Sequence, residues 1–181
     1  MPVALAVLAL AGALSLGARA DQRDGRLDGL FARLPSASEG EAQAIEQRIW
    51  RIWSEAGDPQ VDLLLQEGVV AMSQARFRAA LERFDRMVAE APDFAEGWNK
   101  RATLHYLMGD FGASVRDIQR TLDLEPRHFG ALSGLGLIYD AVEQPAAALR
   151  SFEAAVAINP HLRSIEQRII ELRRQLAGRP T

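Results

Sequence analysis

The stretch that decides the fold runs from Leu132 to Pro160, LSGLGLIYDAVEQPAAALRSFEAAVAINP. In it Leu132, Leu135, Gly136, Tyr139, Ala148, Phe152 and Ala155 stand at set offsets before Pro160. The same offsets recur upstream, because Pro92, Pro126 and Pro160 are each 34 residues apart. A fixed period of this length marks a chain of stacked supersecondary units. With the closing proline counted as position 32, the units begin at Val61, Ala95 and Phe129. Position 8 is then Gly68, Ala102 and Gly136, and position 20 is Ala80, Ser114 and Ala148. Large apolar residues fall at position 24 (Phe84, Ile118, Phe152) and position 4 (Leu64, Trp98, Leu132). Small residues suit a close approach of two helices, and large ones fill the groove of the next helix. Each unit therefore reads as two antiparallel helices. The first helices are expected at 61–74, 95–108 and 129–142, the second at 77–90, 111–124 and 145–158, with Trp98 as a buried packing residue.

Local punctuation agrees. Asp93 and Glu96 form a D-x-x-E capping pattern, and Asp110 can cap the helix beginning at Phe111. Pro145 falls in a first helical turn, where its missing N–H costs little. Pro92, Pro126 and Pro160 follow helix ends, because a residue before proline resists the α conformation.

The in-phase pattern of small, small, large apolar and proline residues resembles the tetratricopeptide repeat over Val61–Pro160. That resemblance implies an all-α protein, a right-handed superhelix (α-solenoid) of three repeats at 61–94, 95–128 and 129–160. The second unit departs most, with Arg101, His105 and Thr121 where the family prefers leucine, tyrosine and alanine. One hairpin cannot bury its apolar face alone, so about three units and covered ends are needed. Residues 161–181 supply a C-terminal cap, since Leu162, Ile165, Ile169, Leu172 and Leu176 form one helical stripe. Its arginines also suggest an anionic lipid surface, but the helix has no aromatic anchor.

Before the repeats, residues 21–60 read as a helical hairpin. Leu27, Leu30, Phe31 and Leu34 follow helical spacing, and Pro35 ends that helix. Ser38 and Glu41 make a capping box for a second helix, which carries Ile45, Ile49, Ile52 and Trp53 on one face with Trp50 beside them. On the 34-residue frame this hairpin fits as a degenerate fourth repeat at the N-terminal end. Residues 1–20 read as a secretory signal peptide. An uncharged run from Val3 to Leu16 precedes Ala18-Arg19-Ala20, a small-x-small cleavage pattern. The run is shorter than the roughly 17–25 residues that span a bilayer. The expected location is the bacterial periplasm, with no membrane insertion after cleavage. The alternative is an inner-membrane anchor at 3–18.

Composition limits the chemistry. The 181 residues are 48% hydrophobic and 25% charged, with a net charge of −3 and no cysteine. Nucleic acid is not expected as a partner. Disulfides, thiolate metal sites and cysteine nucleophiles are excluded. His105, His128 and His161 lack metal-ligand spacing, so neither metal nor cofactor is expected. Gly134-Leu135-Gly136 begins like a dinucleotide fingerprint but lacks its third glycine and preceding strand. Repeat packing already accounts for Gly136. No nucleophile, P-loop or convergent acid pair is present, and the chain reads as non-enzymatic.

The family resemblance instead implies a concave groove lined by the first helices, binding a partner protein or peptide. Carried over, its lining includes Leu65, Gln66, Val69, Asn99, Lys100, Thr103, Tyr106, Ser133 and Leu137, with Arg168 added by the cap. Family members that bind chaperone C-termini hold the carboxylate with a clamp of lysines, asparagines and arginine. The corresponding positions here are Leu65, Val69, Lys100, Gly130 and Gly134, with one base among them, so the clamp is not expected. The expected role is a protein-interaction scaffold or adaptor. The alternative is a small-ligand or glycan module that stacks sugars on Trp50, Trp53 and Tyr106.

Overall fold

The computed structural model describes residues 22–178. The signal-peptide reading of 1–20 and the tail from 179 onward lie outside the described residues. Among the described residues nine α-helices are present, with no strand. They are α1 (Arg26–Arg33), α2 (Glu39–Trp53), α3 (Pro59–Ser73), α4 (Phe77–Glu90), α5 (Ala95–Leu107), α6 (Phe111–Leu124), α7 (Phe129–Ala141), α8 (Pro145–Ile158) and α9 (Arg163–Ala177), with a short 3₁₀ turn at Leu34–Ser36.

The pairs α3–α4, α5–α6 and α7–α8 are the three hairpins, and α4 on α5, α6 on α7 and α8 on α9 stack them into a solenoid. Within the first and third pairs the aromatic ring at position 24 lies flat against position 8. A Cβ on Gly68 would overlap the Phe84 ring, and one on Gly136 would overlap Phe152. Both rings are fully buried, as are Ala80 and Ala148. The second pair solves the same problem with Ala102 and Ile118, and adds a buried bond in which Ser114 Oγ donates to the Ala102 carbonyl at 2.7 Å.

The departures of the second unit are coupled. Arg101 grips the buried Asp117 through two bonds of 2.8 Å and reaches Asp85 on α4, also at 2.8 Å. The His105 ring lies 3.8 Å from the same Asp117 carboxylate. Thr121 Oγ1 donates to the Asp117 backbone carbonyl. An ionic latch thus ties α5 to both flanking second helices, where apolar contacts would otherwise do so.

The turns inside the hairpins are equivalent too. Ala75, Gly109 and Glu143, again 34 residues apart, all have positive φ, at 56°, 78° and 56°. Only the middle unit supplies the glycine that this conformation favours.

Three local expectations are corrected. Asp93 and Glu96 make no capping box: α5 begins after Phe94 with no side-chain cap, and Glu96 is drawn into the interior. Trp98 is half-buried, its Nε1 donating to the Pro92 carbonyl at 3.1 Å and the Arg101 guanidinium lying over its ring. The N-terminal hairpin is not stacked ahead of α3 as a fourth repeat. The capping box that starts α2 is present, with the Ser38 amide donating to Glu41. The hairpin, however, packs along the inter-repeat turns. Leu27, Leu30, Leu34, Ile45, Ile49, Ile52 and Trp53 form one core with Phe129, against which Ile158 and Leu162 also pack. The sequence leaves only Ser54–Asp58 between α2 and α3, enough for the chain to fold α2 back over the solenoid.

Gly136→Ala should test the closeness of the α7–α8 approach. The added methyl displaces a fully buried ring, and overpacking of this kind costs about 1–3 kcal/mol. Chemical denaturation should show that loss, and a change near zero would mean that the helices separate freely.

Candidate functional site

Three inter-repeat turns come into line along one edge of the solenoid, at the N-terminal ends of α5, α7 and α9. The N-terminal hairpin lies along that edge as a strap. Gln22 Nε2 donates to the Asp93 carbonyl, and Gln22 Oε1 accepts from the Ala95 amide at 3.4 Å. Arg127 pairs with Asp28 at 2.7 Å and covers the Phe31 ring. His161 Nε2 donates to the Leu34 carbonyl at 2.9 Å, and Asn159 Nδ2 donates to Glu46 at 3.1 Å.

Under the strap lies a buried charge. Glu96 opens α5 with its side chain at 1% exposure. One carboxylate oxygen pairs with Lys100 Nζ at 2.8 Å. The other accepts from Asn99 Nδ2 at 2.8 Å and from His128 Nε2 at 3.0 Å. The His128 tautomer follows from its other nitrogen, because Nδ1 accepts from the Ala131 amide at 3.1 Å as the cap of α7. Burial pushes the Glu96 carboxyl up, but the Lys100 ammonium and the His128 hydrogen bond outweigh it and hold the group below its ordinary range. The Trp53 ring stacks on His128, 4.2 Å away and 9° from parallel. Trp50 stands edge-on to both rings of Trp53 and Phe129, with Lys100 Nζ 5.5 Å from its own centroid. It seats over Gly130, where a Cβ would come within 2.6 Å of the indole.

This cover divides the predicted groove residues. Leu65 leaves the surface altogether, at 7% exposure in the core of the first repeat. Gln66 stays exposed and Val69 half-buried. Lys100 is held by Glu96 beneath Trp50. Arg168 is held by Asp140 through bonds of 2.6 and 2.7 Å, and by Glu171 at 2.7 Å. Asn99, Thr103, Tyr106, Ser133 and Leu137 come together around one open slot of about 190 Å³, floored by Ile118 and Gly134. Gly130 also lines this slot, beside the Trp50 indole that seats over it. Trp53 is 1% exposed, so it offers no face for stacking a sugar. Tyr106 packs with its centroid 5.6 Å from that of Phe111 and lines the slot.

Besides Leu63 near the start of α3 and Ile170 on α9, several exposed apolar side chains fall in the later halves of the first helices or just after them. They are Val70 on α3, Leu107 and Met108 at the end of α5, Leu137 on α7 and Val142 just after it. What sequence reasoning missed is the Glu96–His128 pair and its aromatic cover. The two residues are 32 positions apart, and only the pairing of their repeats brings them together. Among the described residues no cluster of metal-ligating side chains forms, and no helix is long and apolar enough to cross a membrane.

The architecture defines a solenoid of helical hairpins with a groove half covered by its own N-terminal segment. The chain belongs to the tetratricopeptide repeat proteins: it is 37% identical to a TPR repeat-containing protein of Rhizobium etli over 157 residues, 86% of this chain and 77% of that protein. No protein-family model matches it. Solved structures agree on the fold. The TPR2B domain of yeast Sti1, in complex with an Hsp70 peptide, superposes with a TM-score of 0.61 at 20% identity, covering 65% of this chain and 99% of that one. MamA superposes with a TM-score of 0.61 at 21% identity, covering 76% of this chain and 82% of that one.

Glu96→Gln tests the buried pair through its pH dependence. A depressed carboxyl adds stability above its unfolded value of about 4.3, and that stability is lost as pH falls through the folded value. Wild type should therefore exceed the variant by about 1–3 kcal/mol at neutral pH, with the gap closing below pH ~4. Parallel stability curves from neutral to acid pH would show that the carboxylate contributes nothing as an ion.

Proposed function

We propose that the protein is a non-enzymatic scaffold or adaptor that holds a partner protein in the uncovered half of its groove. The observation that carries this reading is the open slot between α5, α6 and α7. Tyr106 and Leu137 give it apolar walls over the Ile118 floor, and Asn99, Thr103 and Ser133 complete the lining. A mostly apolar concavity with a few polar groups is the usual form of a recognition site. The exposed Leu107, Met108 and Val142 extend the apolar surface beyond it.

A charged peptide terminus fits this groove poorly. The Sti1 domain carries an Hsp70 peptide, yet the clamp positions here are apolar or glycine except Lys100, and Lys100 is committed to Glu96 at 2.8 Å. The preferred partner segment is instead apolar and presents one large side chain to the slot. The glycan reading finds no support in the buried Trp53 and covered Trp50.

We place the protein in the bacterial envelope, beyond the inner membrane. The support is the uncharged run at 3–16 followed by Ala18-Arg19-Ala20, in the form of a cleaved leader. Sequencing the N-terminus of protein recovered from the envelope should read Asp21 first. Recovery of chains that still begin at Met1 would favour the anchored alternative.

The groove is tested by placing a photo-crosslinking residue at Thr103 in living cells. Adducts should form there and fall at least about tenfold when Tyr106→Ala and Leu137→Ser are added, the loss expected when a central apolar anchor is removed. The same adducts arising from Arg86, on the far side of α4, would overturn the assignment.

A further inference from the structure

We propose that the outer cleft of the N-terminal hairpin is a second docking site, built for an acidic peptide segment. The inference is independent of the groove reading, because it uses other residues on another face. The inner sides of α1 and α2 are spent on the strap core through Leu27, Leu34, Ile49 and Trp53. Between their outer sides runs a cleft of about 400 Å³, lined by Arg26 and Arg33 from α1 and by Arg48 and Arg51 from α2. Leu30 and Ile52, core residues of the hairpin at 7% and 5% exposure, close its bottom.

The charge in this cleft runs against that of the chain. The whole sequence is net −3, yet four arginines face the cleft against one acidic residue, Glu55. Arg26 is already satisfied, gripping Asp24 through bonds of 2.6–3.0 Å and lying 4.0 Å from Glu55. Arg33, Arg48 and Arg51 make no side-chain hydrogen bond or ion pair among the described residues. By contrast Arg83, Arg101, Arg127, Arg168 and Arg173 are each held by a carboxylate. Three guanidinium forks without a carboxylate thus line the cleft, and each matches a carboxylate in shape and donor spacing.

Size and lining select the ligand. Arg26 and Arg33 are two helical turns apart, about 10 Å along the axis. An extended segment covers that distance in about three residues. The cleft therefore takes a short extended segment whose acidic side chains reach Arg33, Arg48 and Arg51. A bare phosphate would meet only part of that span. Gly29 adds no side chain to the wall, and a Cβ there would project into open space.

The test is fluorescence anisotropy with the full chain and a labelled hexapeptide alternating glutamate and leucine. A lysine–leucine peptide of equal length is the control. The acidic peptide should bind and weaken as salt rises, because the contact is exposed and screened. Combining Arg33→Gln, Arg48→Gln and Arg51→Gln should weaken it at least about tenfold. The thermal midpoint should be unchanged, and Tyr106→Ala should not affect binding. If the triple variant fails to fold, Arg51→Glu alone should still reduce affinity. Equal binding by wild type and the triple variant would overturn the site, as would equal binding of the two peptides. Binding of inositol hexakisphosphate or of vesicles with anionic lipid, without binding of the acidic peptide, would also overturn it and reassign the cleft to phosphate.

Discussion

Everything in this protein rests on how closely the two helices of a hairpin can approach. In the first and third units a glycine faces an aromatic ring, and no side chain could occupy the glycine position without displacing that ring. The ring is then buried from both sides, by its own hairpin and by the next. A buried side chain of this size contributes about 1.5–3 kcal/mol. The larger consequence is geometric. The same contact repeated every 34 residues keeps the units in register, and register is what brings the inter-repeat turns into line. The second unit keeps this spacing with different chemistry, a serine bonded to the facing backbone and an arginine gripping a buried aspartate. A polar latch of this kind depends on having both partners: breaking a buried pair leaves an uncompensated charge and costs far more than the pair itself contributes.

The aligned turns form the ledge on which the strap sits. Its aromatic residues would otherwise be exposed, and the solenoid would otherwise present Glu96 and His128 to solvent. Bringing the two surfaces together buries a carboxylate, which is costly unless every oxygen is satisfied. Here Asn99 and His128 meet one oxygen through hydrogen bonds, and the Lys100 ammonium forms an ion pair with the other at 2.8 Å. The strap thereby removes one edge of the groove from use and leaves the other edge open. The shape available to a partner is set by a segment outside the repeats.

The repeats were legible because their signal is local and periodic. The second helices run at 77–90, 111–124 and 145–158 as the pattern predicts, and the cap follows from one apolar stripe. The strap's position was not legible. Its bonds join residues such as Asp28 with Arg127 and Leu34 with His161, which no period relates. Glu96 shows how this misleads. Three residues after Asp93 and at the head of a helix, it satisfies the spacing of a capping box. That reading does not foresee a histidine one repeat away as its partner. Leu65 failed for a related reason: a groove position carried over by register says where the Cα lies, and neighbouring bulk decides whether the side chain emerges.

The same division bears on how ligand charge is sorted. The N-terminal ends of stacked first helices carry partial positive charge and unpaired N–H groups, the natural place for an anion. Here Glu96 occupies one such end, His128 caps the next, and the strap covers both. The groove's one predicted lysine is neutralised by that same glutamate. An acidic segment has nothing left to meet in the groove, and an apolar one has the slot at Tyr106 and Leu137. Three guanidinium groups without a carboxylate line the outer cleft of the strap instead. By folding its N-terminal hairpin over the solenoid, the chain separates an apolar surface from a cationic one, so that the two proposed sites lie on different faces.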